Sequence, residues 1–210
     1  MMLGADVITF REFAMREPLP LATIQKAVLE FLRGRDDAVI FGAQAVNAYV
    51  SEPRMTEDVD ILSPRAVELA EELQEHLSRK FRIAIRIRKI GAGKGYRLYQ
   101  VRKSGNRHLV DLRPVNKLPL TKRIAQVLVV APTELIASKV IAYHQRRGKP
   151  KSGTDWRDLA MLLLRFPELK RDPRPVADRL IAAGADEAVL SVWEKLVAQD
   201  IRPMEEDDEF

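Results

Sequence analysis

Arg54-Met55-Thr56-Glu57-Asp58-Val59-Asp60-Ile61-Leu62 sets two carboxylates two residues apart at the start of an apolar run. Val59 to Leu62 reads as a strand, and side chains of a strand alternate between faces, so Asp58 and Asp60 point the same way. Carboxylates aimed together repel, and each raises the other's pKa unless a cation lies between them. A hard divalent ion such as Mg²⁺ satisfies that demand, because it takes one or two carboxylates plus phosphate oxygens of a substrate. The alternative is a pair of surface acids at a strand edge, but the apolar flank of Val59, Ile61 and Leu62 argues for a central strand. Asp111, in the run Leu109-Val110-Asp111-Leu112, joins them if its strand is a neighbour. Three carboxylates hold two metals, one for the attacking hydroxyl and one for the leaving group. A salt bridge from Asp111 to Arg107 or Arg113 is the simpler alternative.

Upstream, Ala38-Val39-Ile40-Phe41 runs straight into Gly42-Ala43, and Ala43 to Val50 has helical spacing. A strand that enters a helix through glycine can turn its backbone N–H groups toward an anion. Gln44 then either hydrogen-bonds substrate or lies on the exposed helix face. Thr56 is placed to brace Asp58, and Arg54 to pair with a carboxylate or phosphate; a purely structural role fits both equally. Further out, Leu21 to Arg33 and Ala66 to Arg79 carry amphipathic helical spacing. Phe81 to Arg88 alternates apolar and basic residues, which predicts a strand with one face in the core and one positive. Tyr96 to Lys103 and Arg107 to Arg113 read as a hairpin around Ser104-Gly105-Asn106. Ile124 to Val130 is one more apolar run. From Pro132 on, four segments have helical spacing: 132–146, 155–165, 175–183 and 186–199. The expected organisation is an α/β core at 1–131 with a mixed sheet and flanking helices, a helical C-terminal part at 132–203, and a disordered acidic tail at 204–210.

Composition narrows the function classes. The 210 residues are 46% hydrophobic and 31% charged, which excludes wholesale disorder. The absence of cysteine excludes a disulfide scaffold, a thiolate zinc site and a cysteine nucleophile, and fits a reducing, cytoplasmic setting. No run of about 20 apolar residues exists, so no membrane span is expected, and Met1 to Arg11 lacks the pattern of a secretion signal. The net charge of +5 is unevenly spread. From His76 to Thr133 there are fifteen Lys or Arg against the single acid Asp111, a local balance of +14. Such a segment attracts polyanions, either nucleic acid or nucleoside triphosphate, or else forms a solvated face. Gly91-Ala92-Gly93-Lys94-Gly95 opens no helix and so is read as a hairpin loop rather than a phosphate loop. His76, His108 and His144 are scattered and lack metal-ligand spacing.

A glycine-led strand-to-helix turn, an Asp-x-Asp strand and a third Asp on a later strand resemble the nucleotidyltransferase fold of the DNA polymerase β type. More narrowly, Phe41-Gly42-Ala43-Gln44-Ala45, Arg54-x-Thr56-x-Asp58-x-Asp60, Lys139 and Asp155-x-x-Asp158 resemble the minimal AbiEii/MenA-like nucleotidyltransferases, toxin halves of some bacterial toxin–antitoxin pairs. Ala43 stands where that family usually has a second Gly or a Ser, and Thr154 where many relatives have a basic residue. The resemblance implies a polymerase β-like core and a metal-dependent enzyme moving an NMP from an NTP to an acceptor hydroxyl. The acceptor would be an RNA 3′ end such as tRNA, or a protein side chain, and an antitoxin would be a partner. Asp58, Asp60 and Asp111 would bind Mg²⁺ or Mn²⁺, with Asp111 helping to deprotonate the acceptor. Gly42, Ala43, Gln44, Arg54, Thr56, Lys139, Asp155 and Asp158 would serve the nucleotide: Lys139 by reaching phosphate, and the two late acids by holding Lys139 or Arg147, or merely by stabilising their helix. The alternative is a catalytically silent RNA- or nucleotide-binding module on the same fold.

Overall fold

The computed structural model describes residues 19–91 and 93–203. Ala92, residues 1–18 (which include the segment Met1 to Arg11) and the acidic tail 204–210 lie outside the described residues. The chain divides into two compact units between Val130 and Ala131. In chain order the first holds α1 (Leu21–Leu32), β1 (Val39–Phe41), α2 (Gly42–Asn47), β2 (Val59–Ser63), α3 (Ala66–Phe81), β3 (Ile85–Ile90), β4 (Gly95–Gln100), β5 (Arg107–Pro114), β6 (Thr121–Ile124) and β7 (Val127–Val130). The strands form one mixed sheet in the order β3-β4-β5-β2-β1-β7-β6. β2 lies parallel to β5 and β1 parallel to β7, while the other neighbours are antiparallel.

The two faces of this sheet differ, and period two decides how. Val59 and Ile61 on β2 pair with Val110 and Leu112 on β5, and Val110 pairs with Leu98 on β4. All five are fully buried. α1 and α3 pack on these strands and on each other. Leu69, Leu73 and Leu77 of α3 recur every fourth residue and are fully buried, so one stripe of the helix supplies its contact. Each such leucine contributes about 1.5–3 kcal/mol. The residues between them in the strands, Asp60, Asp111 and Arg97, therefore share the opposite face. Tyr49, just past α2, donates from its hydroxyl to the carbonyl of Val130 at 2.8 Å and ties this region to β7. Burial pushes the Tyr49 phenol up to about 12.

The second unit is helical: α4 (Pro132–Gln145), α5 (Lys151–Arg165), α6 (Pro167–Arg171), α7 (Arg174–Ala182) and α8 (Glu187–Ala198). α4 packs against α5, α7 and α8. Asp186 caps α8 by accepting from the Val189 N–H at 3.0 Å. Buried Trp193 donates its indole N–H to the Pro173 carbonyl at 3.1 Å. Among the described residues no helix is long and apolar enough to cross a membrane.

Several elements differ from the sequence expectation. The run Ile124 to Val130 is a hairpin: Ala125 and Gln126 both take positive φ, 46° and 66°, and reverse the chain between β6 and β7. That is the geometry of a two-residue primed turn, usually signalled by Asn or Gly. α3 runs on to Phe81 and ends at left-handed Arg82 (φ 53°), so the strand read from Phe81 begins at Ile85. α5 starts at Lys151 rather than Asp155, and the short α6 had no periodic signal.

Candidate active site and metal centre

Gly42 sits at the junction of β1 and α2 with φ +67°. A Cβ there would lie 2.1 Å from Asp60 Oδ2, so glycine is required both by the turn and by the carboxylate beside it. Gly42→Ala should destabilise the protein by about 1–2 kcal/mol from the left-handed backbone alone, and should also push Asp60 aside. Urea unfolding of the two proteins checks this; an unchanged midpoint would mean the turn relaxes freely.

The loop from α2 to β2 is braced at several points. Asn47 accepts from the Arg54 N–H at 3.0 Å and donates to the Arg54 carbonyl at 2.7 Å. Gln25 donates to the Thr56 carbonyl at 2.9 Å. The Thr56 hydroxyl lies 3.1 Å from the Asp58 carbonyl and 3.5 Å from its carboxylate. Arg54 donates to the Met55 carbonyl at 3.1 Å. Gln44 does not lie on an exposed face: it is 1% exposed, and neither polar atom of its amide has a hydrogen-bond partner among the described residues. Ala43 is buried beside it on α2.

β2 and β5 bring the acids together. Asp60 is the direct register partner of Asp111. Asp58 immediately precedes β2. Between β4 and β5, Leu98 faces Val110 but Tyr99 faces His108, which leaves Leu109 as an extra residue in β5. Residues three apart in a regular strand point to opposite faces; this bulge brings His108 and Asp111 to the same one. His108 Nε2 lies 2.7 Å from Asp111 Oδ1, and its Nδ1 lies 3.4 Å from Asp58 Oδ2. Asp58, His108 and Asp111 each offer a ligand atom, all within 4.8 Å of one another. The dismissal of all three histidines on spacing is therefore corrected for His108, which the bulge delivers to the carboxylates.

Arg97, opposite Asp111 in the β4–β5 register, grips both of its oxygens at 2.6 and 2.8 Å. The salt bridge considered for Asp111 thus exists, but neither with Arg107, which binds Gln100, nor with Arg113, whose guanidinium lies 4.9 Å from the Phe41 ring centroid. Burial works most strongly against ionising Asp111, yet hydrogen bonds and charge from His108 and Arg97 together hold its carboxyl well below the usual range. The same pairing, led by the hydrogen bond to Asp111, raises the Arg97 pKa.

The same face continues outward. Arg88 pairs in register with Arg97, and Arg86 with Tyr99. The Arg88 guanidinium lies 5.5 Å from the Tyr99 ring centroid, and the Tyr99 and His108 rings are 5.3 Å apart. In the second unit, Lys139 on α4 is buried and donates to Asp158 at 2.6 Å, with Asp155 at 3.6 Å. Asp155 is held by Arg146 at 2.8 and 3.1 Å rather than by Arg147.

The donor set fits a divalent ion: carboxylate oxygens suit Mg²⁺ or Mn²⁺, and an imidazole adds a ligand that transition metals accept. Solved structures share this fold. The Megavirus polyadenylate synthase aligns with a TM-score of 0.59 and 13% identity over 75% of this chain, which spans about a third (34%) of that one. JHP933 from Helicobacter pylori aligns at 0.53 and 13% identity, covering 91% of this chain and 92% of its own. A protein from the same bacterium, provisionally described as a nucleotidyltransferase, aligns at 0.54 and 14%, covering 90% and 91%. These likenesses establish the nucleotidyltransferase fold. No curated protein matches the sequence significantly. Matched from residue 27 to residue 208 by the model of the nucleotidyl transferase AbiEii toxin of type IV toxin–antitoxin systems, the chain belongs to that nucleotidyltransferase family.

Proposed function

We propose that the protein transfers an NMP from an NTP to the 3′-hydroxyl of an RNA, tRNA being the first candidate, in a reaction dependent on Mg²⁺ or Mn²⁺. The observation that carries this is the continuity of one sheet face, from the group of Asp58, His108 and Asp111, with Asp60 in register beside Asp111, to Tyr99, Arg88 and Arg86. A divalent ion bound there would neutralise the triphosphate and acidify the acceptor hydroxyl. The acceptor oxygen attacks the α-phosphorus in line, the bond to pyrophosphate breaks, and the hydroxyl proton passes to solvent. Gly42 lets backbone N–H groups approach the triphosphate without a side chain in the way, and Gln44 supplies a buried amide for substrate. The family resemblance gives Lys139 a phosphate contact, and Asp158 holds its ammonium at 2.6 Å. The aromatic ring and arginines of the outer face suit an unpaired RNA end, by stacking and phosphate contact. Family membership supports a toxin role, with an antitoxin as partner.

The test is a transfer assay with each α-³²P-labelled NTP, Mg²⁺ or Mn²⁺, and total RNA. Label on RNA supports the proposal; label on protein instead would move the acceptor to a side chain. Replacing Tyr99 or Arg88 by Ala should weaken RNA binding about 5- to 100-fold for the lost stack, and Arg88→Ala should reduce the salt slope by about one. Fluorescence anisotropy across a salt series measures both, and unchanged binding would exclude this face as the RNA path.

The grip of Arg97 and His108 on Asp111 favours a second reading, because a silent binding module would carry its acids neutralised in this way. That reading predicts salt-sensitive RNA binding indifferent to Mg²⁺ and to Asp60→Asn.

A further inference from the structure

We propose that Arg97 is a built-in counter-cation for Asp111, so that a divalent ion can use Asp111 only by displacing the guanidinium. This rests on the divalent-ion reading of the site. Both Asp111 oxygens are engaged by Arg97, at 2.6 and 2.8 Å, and one of them also by His108 at 2.7 Å. A carboxylate gripped in this fork geometry has little lone-pair capacity left for a metal.

Two further observations make this an exchange rather than a permanent pair. The Asp111 side chain is 7% exposed, fixed on a strand inside the sheet, whereas Arg97 is 35% exposed at the end of a long stem. Arg97 can leave; Asp111 cannot. Next, Arg88 stands directly across from Arg97 in the β3–β4 register. Like charges facing each other across strands repel. Arg88 is turned over the Tyr99 ring and Arg97 onto Asp111, so each arginine is drawn away from the other. Asp111 is thus the resting counter-ion of Arg97. The arginine is free to move when a metal takes over the carboxylate and an anion such as a substrate phosphate comes to lie on the arginine face.

Arg97 acts here through Asp111, as a residue that sets metal loading. The test is a Mn²⁺ titration of the full chain, read by electron paramagnetic resonance of free Mn²⁺, with wild type, Arg97→Met and Arg97→Lys. Removing the competing cation should tighten Mn²⁺ binding about tenfold in Arg97→Met. Arg97→Lys, which cannot span both oxygens, should fall between the two. Asp111→Asn in the Arg97→Met background should abolish the gain. Equal or weaker Mn²⁺ binding by Arg97→Met, with the urea midpoint showing it folded, would overturn the proposal and make Arg97 a brace that positions Asp111. If Arg97→Met fails to fold, Arg97→Lys decides alone, and unchanged or weaker binding by it overturns the proposal. Label transfer by the wild type, run beside the titration, separates the two levels. Transfer without an Arg97 effect overturns only the exchange, whereas absence of Mn²⁺ binding in all three proteins together with absence of transfer by the wild type overturns the divalent-ion reading with it.

Discussion

Asp60→Asn should abolish nucleotidyl transfer, by about 10³-fold or more, while leaving the protein folded. Asp60 lies in register with Asp111 and against Gly42, at the centre of the sheet face that carries the site. Asparagine keeps its shape, so the close approach of Gly42 survives and the stability change should stay within about 0.5 kcal/mol, as for a benign substitution. It removes the negative charge that would hold a divalent ion, whose effect on the transition state is worth several kcal/mol. At about 1.4 kcal/mol per tenfold in rate, losing about 4 kcal/mol gives the stated effect. The labelled-NTP assay reads the rate and urea unfolding the stability. Transfer at the wild-type rate would remove Asp60 from the chemistry and leave its position beside Gly42 as packing.

Asp158→Ala should cost about 3–5 kcal/mol of stability, the usual result of breaking a buried ion pair from one side. Asp158 is fully buried and Lys139 nearly so, and the pair meets at 2.6 Å. Without Asp158 the ammonium keeps, among the described residues, Asp155 at 3.6 Å, which is already shared with Arg146. Replacing both partners with apolar residues of similar volume, Lys139→Met with Asp158→Leu, should recover most of the loss, because no charge is then stranded. That double variant also separates the two roles of Lys139. If the lysine only braces α4 against α5, transfer survives in the double variant; if it reaches phosphate, transfer falls although stability has returned. Urea midpoints and the labelled-NTP assay read the two.

The parts of the candidate site that were legible in the sequence follow one local rule. Asp58 and Asp60 stand out because a strand's period is two and their apolar neighbours mark a buried strand. Gly42 stands out because a strand ends there and a helix begins. Asp111 stands out as the one acid in a basic stretch, though its place beside Asp60 depends on β2 and β5 being neighbours, a long-range fact. His108 was hidden because the extra residue Leu109 breaks the parity on which face assignment rests. Arg97 was hidden for the same reason, since its pairing with Asp111 is counted across that bulged ladder. The β6–β7 turn was hidden because Ala125 and Gln126 hold left-handed backbone without the Gly or Asn that advertises it. The boundary at Arg82 has a similar origin: a left-handed arginine ends α3 inside an alternating pattern that otherwise reads as strand.

The parallel pairing of β2 with β5 has a consequence for how the protein comes into being. Val59 meets Val110, 51 residues later in the chain, and Ile40 meets Val129, 89 residues later. Pairings this distant must wait for the intervening chain to exist and then close large loops, and such topologies form late. At about 5–20 residues per second of synthesis, the first two aspartates emerge several seconds before the third. A growing chain therefore holds Asp58 and Asp60 before β5 exists, and Asp111 and His108 join them only as the sheet closes. The order of synthesis and the topology of the sheet together set when these side chains first meet.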